Sequence, residues 1–235
     1  MSERVSLQDQ EKKAAAEAAL SYVREGMSLG LGTGSTAAFA VRGLGRMVRD
    51  GLKIRAVPTS RQTRSLARAE GIPLTTLQDC PRLDLTIDGA DEADRRCRLV
   101  KGGGGALLRE KIVASASRRM LAIVDSSKLV EYLGAFPLPV EVVPFAWPVV
   151  LPRLAALGCS PVLRRRGDEP FVTDEGNYII DCPFKTLDDP SGLAAEISPL
   201  AGVVEHGLFI GLCHEVIVAR GSSTETISCG PGNEP

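Results

Sequence analysis

Twice in this chain a short apolar run ends in glycines and passes straight into a helical pattern. The two segments are "SLGLGTGSTAAFAVRGL" at 28–44 and "RLVKGGGGALLREKIVAS" at 98–115. Strand, glycine turn and helix in that order open a βαβ unit, whose strands run parallel because the helix carries the chain back. The same alternation continues between and after them. "KIRAVPTS" reads as a strand and "RQTRSLARAEG" as a helix ending at Gly71. Leu83, Leu85 and Ile87 alternate with polar residues up to Asp88, and "RMLAIVDSSK" is a further strand ending near Asp125. An alanine-rich helix is expected over 8–25, ahead of the first strand. Strands alternating with helices predict an α/β fold with a Rossmann-like, doubly wound parallel sheet.

The pattern changes near Gly134. "FPLPVEVVPFAWPVVLP" carries five prolines and reads as a crossing between domains. Beyond it the expected order is strand 139–143, helix 146–157, strand 161–166, a strand pair 171–173 and 178–182 about the turn "DEGN", helix 190–198 and strand 203–209. That order, β-α-β-β-α-β, is the ferredoxin-like plan. The last strand, "EVIVAR", has no partner left there and is expected to return to the first sheet. The expected division is therefore a Rossmann-like domain at 1–133 and 206–235, with an inserted ferredoxin-like α+β domain at 134–205.

With 44% hydrophobic and 24% charged residues the composition is ordinary for a globular protein. A formal net charge of −1 gives no electrostatic reason to expect a nucleic-acid or membrane partner. The six cysteines never form a C-x-x-C, and their wide spacing reads as reduced, mostly buried thiols of a cytoplasmic protein. The first residues are polar where a signal peptide is apolar, and no apolar run nears the length of a membrane span.

In open α/β sheets ligands bind beyond the carboxyl ends of the strands. The unusual residues of this chain fall there: Gly32–Thr36, Asp88–Asp91, Lys101–Gly105 and Asp125–Lys128. "GTGST" opens a helix, whose free N–H groups and positive dipole end attract phosphate; the alternative is a tight turn with a Ser/Thr cap. The segment also matches G-x-G-x-x-A, but the next strand ends "VPTS" without the acid a dinucleotide site needs. No Gly-Lys-Ser/Thr follows, so it is not a Walker loop. Asp88, Asp91 and Asp94 are spaced i, i+3, i+6, which fails the calcium-loop pattern. Asp88 and Asp91 are placed to share a pocket and move protons between oxygens; Glu92 and Asp94 read as a solvated acidic turn.

The glycines after Lys101 can bring bare backbone N–H groups against an anion. On the helix that follows, the i±3 and i±4 neighbours of Glu110 are Ala106, Leu107, Val113 and Ala114, none of them a cation. A carboxylate on such a patch has its pKa raised by desolvation, which suits a general base; the alternative is an ordinary exposed glutamate. His206 and His214 are too few for a metal site or a Ser-His-Asp triad, so no metal is expected. "RRRG" at 164–167 reads as a solvated strand end, and Trp147 as packing at the domain crossing.

Taken together, "GLGTGSTAAFAV", "TIDGADEAD", "KGGGGALLREKIVA" and "DSSKLV" resemble the ribose-5-phosphate isomerase A family. The resemblance runs in order from "QDQEKKAAAEAAL" through "FPLPVEV", "FVTDEGNYIID" and "GVVEHGLF". It implies a cofactor-free, cytoplasmic, homo-oligomeric enzyme, a homodimer or homotetramer, whose partner is a small sugar phosphate. Thr33, Gly34, Ser35 and Thr36 would bind substrate, mainly its phosphate. Asp88, Gly89, Ala90 and Asp91 would line the sugar site, the aspartates opening the furanose ring and shuttling hydroxyl protons. Lys101, Gly102, Gly103 and Gly104 would form the substrate loop. Glu110 falls at the catalytic base, Lys128 at a second substrate-contacting lysine, and Lys12 where the family often has a basic residue. Gly105, where relatives usually have alanine, and "FIGLCHEV", where a more polar turn is common, depart from the pattern. The implied reaction interconverts ribose 5-phosphate and ribulose 5-phosphate through an enediolate, with Lys101 and the glycine loop facing the oxyanion. The alternatives are a sugar-phosphate-sensing domain and an isomerase of another sugar phosphate.

Overall fold

The computed structural model describes residues 6–229. In chain order the elements are α1 (Leu7–Leu20), β1 (Ser28–Leu31), α2 (Ser35–Arg49), β2 (Arg55–Pro58), α3 (Arg61–Ala69), β3 (Leu85–Gly89), β4 (Glu92–Ala93), β5 (Leu99–Val100), α4 (Leu107–Ser115) and β6 (Met120–Asp125). There follow β7 (Leu138–Val142), α5 (Trp147–Ala155), β8 (Val162–Leu163), β9 (Arg165–Arg166), β10 (Glu169–Pro170), β11 (Tyr178–Cys182), α6 (Pro190–Ile197), β12 (Val203–His206), β13 (Leu208–Phe209), β14 (Glu215–Arg220) and β15 (Ser223–Ser228).

The main sheet has the order β15-β14-β6-β3-β1-β2. All neighbours from β14 to β2 pair in parallel, and β15 closes the edge as an antiparallel hairpin with β14. Strands β1, β3 and β6 are buried along their whole length, as strands covered on both faces must be. One covering layer is α1 and α2. Ala37, Ala40, Val41 and Leu44 of α2 face inward at helical spacing, and Ala15, Ala16 and Ala19 of α1 pack beside them. Small residues let the helices lie close, while Leu29, Leu31, Leu121 and Ile123 fill the space beneath; each such side chain contributes about 1.5–3 kcal/mol by leaving water.

The second sheet has the order β12-β7-β11-β8, with every pair antiparallel. Numbered within that unit the order is 4-1-3-2 with helices after the first and third strands, the ferredoxin-like arrangement. It has its own core, including Leu138, Val140, Val142, Ile180, Leu154 and Ile197. The fold is thus a Rossmann-like parallel sheet carrying an inserted α+β unit, and "EVIVAR" does return to the first sheet as β14.

Several local expectations fail for physical reasons. Helix α1 ends at Leu20, because Ser21 turns its N–H and hydroxyl back onto Ala18. The strand before Lys101 is not in the main sheet; β5 pairs with β4 and β13 in a small antiparallel sheet. Residues 171–173 form no strand; the hairpin falls earlier, at β9 and β10, turning through Asp168. The strand expected at 203–209 breaks at Gly207, which leaves the β12 edge and enters β13. A Cβ there would stand 2.2 Å from the Lys101 carbonyl, so only glycine fits. Glu92 and Asp94 are not solvated. Glu92 accepts the N–H groups of Gly134 and Phe136, and Asp94 those of Arg96 and Arg98. Cys80, Cys159, Cys182 and Cys213 are free thiols as expected, but Cys97 and Cys229 form a disulfide with their Cα atoms 6.1 Å apart.

Candidate active site

Strands β1, β3 and β6 end on one rim, and a cavity of about 200 Å³ opens there. It is smaller than the roughly 300–1,000 Å³ of sites for drug-sized ligands, which suits a small metabolite. Gly34, Ser35 and Thr36 line it, with Gly89, Ala90 and Asp91 from the end of β3. Lys101, Gly102, Gly104 and Glu110 form another wall, and Lys12, Asp125 and Lys128 complete it together with Gln8. Gln8 was not singled out in the sequence; it reaches the cavity because α1 is pinned there. The Glu11 carboxylate accepts from Ser126 N–H and Oγ and from Gly221 N–H, and those bonds hold its pKa below the usual value.

One part of the wall is built for an anion. Gly34, at φ 109°, precedes α2, and no side chain caps that helix, so its first N–H groups remain for a ligand. Thr33 also lines the cavity, but its hydroxyl is engaged inward, 2.8 Å from Thr59 Oγ1, 2.8 Å from Ser60 Oγ and 3.1 Å from Thr63 Oγ1. This hydroxyl cluster ties the glycine turn to the start of α3. Its one sequence signal is Ser60-x-x-Thr63, where Ser60 accepts the Thr63 N–H as a helix cap.

Charge concentrates at the other part. Lys101 is buried, and its ammonium lies 3.1 Å from Asp88 Oδ2 and 3.4 Å from Glu110 Oε2 while donating to the Gly89 carbonyl. The sequence placed no cation beside Glu110 on its own helix; the cation comes from the preceding loop. Asp88, expected on the sugar wall, lies wholly buried behind Lys101, with Oδ1 accepting the N–H groups of Thr33 and Gly89. Gly32 has no side chain because a Cβ would stand 2.0 Å from that oxygen. Asp91 accepts the Gly103 N–H at 2.7 Å, and Gly103 itself is off the cavity wall.

This cluster holds one cation among three carboxylates. Burial opposes the charge on Lys101, but Asp88, Glu110 and Asp91 outweigh it and hold its pKa above the ordinary lysine value. Burial pushes Glu110 up to about 8; the Lys101 charge pulls against this, and Asp88 and Asp91 add to it. Asp88 is also raised, again by burial against the pull of Lys101. Asp88 takes two backbone donors on Oδ1, while its Oδ2 and Glu110 Oε2 both face Lys101; of the two carboxylates, Glu110 is the one on the cavity wall. A carboxylate titrating near neutrality beside a fixed cation, on a cavity wall, is equipped to move a proton. No group of three or more His, Cys, Asp or Glu is placed to hold a metal among the described residues.

Arg164, read from sequence as a solvated strand end, is instead turned inward, donating to Asp181 and to the carbonyls of Gly102 and Gly103. Three consecutive arginines look alike in sequence; only the position of β8 beside β11 separates this one from its exposed neighbours.

The model of the ribose 5-phosphate isomerase A (phosphoriboisomerase A) family matches residues 55–223. The chain belongs to that family. Ribose-5-phosphate isomerase A of Parvibaculum lavamentivorans is 54% identical over 226 residues, covering 93% of this chain and 98% of its own. The Oceanobacillus iheyensis ribose-5-phosphate isomerase A 1 is 51% identical, covering 91% and 96%. Among solved structures, a D-ribose-5-phosphate isomerase in complex with phospho-erythronic acid superposes with a TM-score of 0.92 at 37% identity, covering 94% of this chain and 99% of that one. Ribose 5-phosphate isomerase A from Neisseria gonorrhoeae gives 0.88 at 40% identity, covering 95% and 98%. The family model takes in the Asp88, Lys101, Glu110 and Lys128 segments. The Thr33–Thr36 turn of this ribose-5-phosphate isomerase A relative lies ahead of the matched residues.

Proposed function

We propose that the protein is an aldose-ketose isomerase interconverting D-ribose 5-phosphate and D-ribulose 5-phosphate, with Glu110 as the general base. The observation that carries the reading is Glu110, buried, raised to about 8 and 3.4 Å from Lys101, on the wall of a cavity that also holds the uncapped start of α2. The phosphate would sit on the N–H groups of Ser35 and Thr36 and the Thr36 hydroxyl, with Lys128 and Lys12 supplying charge. Anchored there, a flexible five-carbon chain uses remote binding energy to fix C1 and C2.

In the open-chain aldose, Glu110 takes the proton from C2. The C2–H electron pair becomes the C1=C2 bond, and the C1 carbonyl oxygen becomes an oxyanion. Lys101 and the glycine-loop N–H groups stabilise it. Glu110 returns the proton to C1 as a hydroxyl proton passes from O2 to O1, so nothing is oxidised or reduced overall. Asp91, on the wall, shuttles the hydroxyl protons and assists ring opening. Asp88 acts from behind, holding Lys101 charged and in place. The reading needs no cofactor or metal ion. It carries with it a homodimeric or homotetrameric, cytoplasmic protein, with residues 134–205 as the inserted domain and 1–133 with 206–235 as the Rossmann-like one.

The test is a coupled assay on ribose 5-phosphate with allose 6-phosphate as control, alongside exchange of the substrate C2 hydrogen in deuterium oxide. Turnover and exchange are expected on ribose 5-phosphate and both should collapse in Glu110→Gln. Turnover of allose 6-phosphate alone would change the substrate assignment. A Glu110→Gln variant exchanging at the normal rate would move the base elsewhere.

A further inference from the structure

Arg164 belongs to the inserted domain, between β8 and β9, yet its guanidinium reaches the glycine loop of the other domain. Nε and Nη2 donate to the two oxygens of Asp181, at 2.8 and 2.5 Å. Asp181 is on β11, inside the small sheet, so this fork is fixed from behind. The guanidinium carbon lies 5.7 Å from the centre of the Phe171 ring. What remains is Nη1, and it donates to two successive carbonyls, Gly102 O at 2.9 Å and Gly103 O at 3.2 Å.

A trans peptide points its C=O and N–H in opposite directions. The plane joining Gly102 to Gly103 is therefore held from both sides, its carbonyl by Arg164 and by the Gly105 N–H at 3.0 Å, and its N–H by Asp91 at 2.7 Å. The next plane has its carbonyl on the same Nη1, so the Gly104 N–H is turned away from Arg164. That N–H donates to no group among the described residues, and Gly104 lines the cavity. Among the described residues only Arg164 donates to the Gly103 carbonyl; glycines have no side chain to choose between peptide orientations, and a flip of the Gly103–Gly104 plane would point its carbonyl oxygen at the cavity in place of the Gly104 N–H.

We propose that Arg164 is a positioning residue. By gripping the Gly102 and Gly103 carbonyls it sets the glycine loop with the Gly104 N–H facing the cavity, where it donates to the developing oxyanion. The kinetic part rests on the isomerase reading; the structural part does not. Arginine is required because a planar fork can chelate Asp181 and still offer a further N–H. The ammonium of a lysine has no such geometry.

The experiment compares wild type with Arg164→Lys and Arg164→Gln. In both variants kcat on ribose 5-phosphate should fall about 10- to 100-fold, the scale of a misplaced donor, while KM stays within about threefold because the phosphate is held elsewhere. Amide hydrogen exchange over residues 102–106 should quicken at least about tenfold, with β3 and β6 unchanged. If either variant folds poorly, the other carries the comparison, and methylguanidinium added to Arg164→Ala should restore part of kcat. Unchanged kcat or unchanged exchange over 102–106 would overturn the proposal. So would exchange that quickens equally across β3 and β6, since that marks a merely structural role. If wild type itself does not act on ribose 5-phosphate, the isomerase reading fails, and the exchange measurement alone decides on Arg164.

Discussion

The Lys101 ammonium stands 3.4 Å from the Glu110 carboxylate, and neither residue exposes more than 4% of its surface. The two come from different elements, a loop and a helix, and meet only because the glycines between them let the chain double back. Gly102 takes φ 106°, and a Cβ there would press on Leu107 at 2.7 Å. A buried cation with more than one buried carboxylate around it makes the site's proton content depend on pH.

Activity should follow that proton. Glu110 works as a base only when ionised, so kcat/KM is expected to rise with pH through an acid limb near 8. A pH–rate profile on ribose 5-phosphate measures it. Glu110→Gln should lose the limb and about 10² to 10⁴ in kcat. A wild-type limb below pH 6 would assign the rate-controlling ionisation to another group.

Stability should run the opposite way. The folded Glu110 holds its proton up to about 8, whereas the free side chain releases it near 4.5. Between those values the native state binds more protons than the unfolded state, so this group's contribution declines as pH rises, by up to about 1.4 kcal/mol per pH unit. Glu110→Gln has no such slope. In urea titrations its stability relative to wild type should therefore improve from pH 5 to pH 8; an offset constant over that range would contradict the raised pKa.

Thr36 tests the anion end. Thr36→Val keeps shape and removes the hydroxyl donor, which for a charged partner is worth about 1.5–3 kcal/mol. KM for ribose 5-phosphate should rise about 10- to 150-fold, with kcat changed far less. A KM equal to that of wild type would mean Thr36 does not touch the phosphate.

The Cys97–Cys229 disulfide predicts a thiol count. The denatured, unreduced protein should show four titratable thiols out of six. Cys97→Ser should lower stability by about 2–4 kcal/mol, since the bond closes a long loop in the unfolded chain. Its kcat should match wild type, because neither cysteine lines the cavity. Six titratable thiols would show the pair reduced.

Much of the main sheet was legible because its strands have simple signatures: "SLGL" and "MLAIVD" are largely apolar, "LTIDG" alternates apolar with polar residues, and each runs up to the rim. The site segments were legible for the same reason, since ligand-facing glycines and carboxylates gather where those strands end. What stayed hidden depends on contacts between distant parts of the chain. The two-residue strand β5 has too little sequence to declare which sheet it joins. The edge strand β15, "STETIS", is polar because one side of it is open to solvent. Glu92 and Asp94 looked solvated because their partners are backbone N–H groups, which every residue supplies alike. Cys97 and Cys229 are 132 residues apart, and spacing at that range carries no information on proximity. Glu110 was read by its neighbours on one helix, which could not reveal Lys101.

Gly207 has a mechanical consequence. Its N–H donates to the Pro139 carbonyl of the small sheet, while its carbonyl accepts the N–H of Lys101. The inserted sheet and the short sheet that leads into Lys101 are therefore spliced at this residue. Any displacement of the inserted unit at this point is passed to the backbone of Lys101, and so to the ammonium between the two carboxylates.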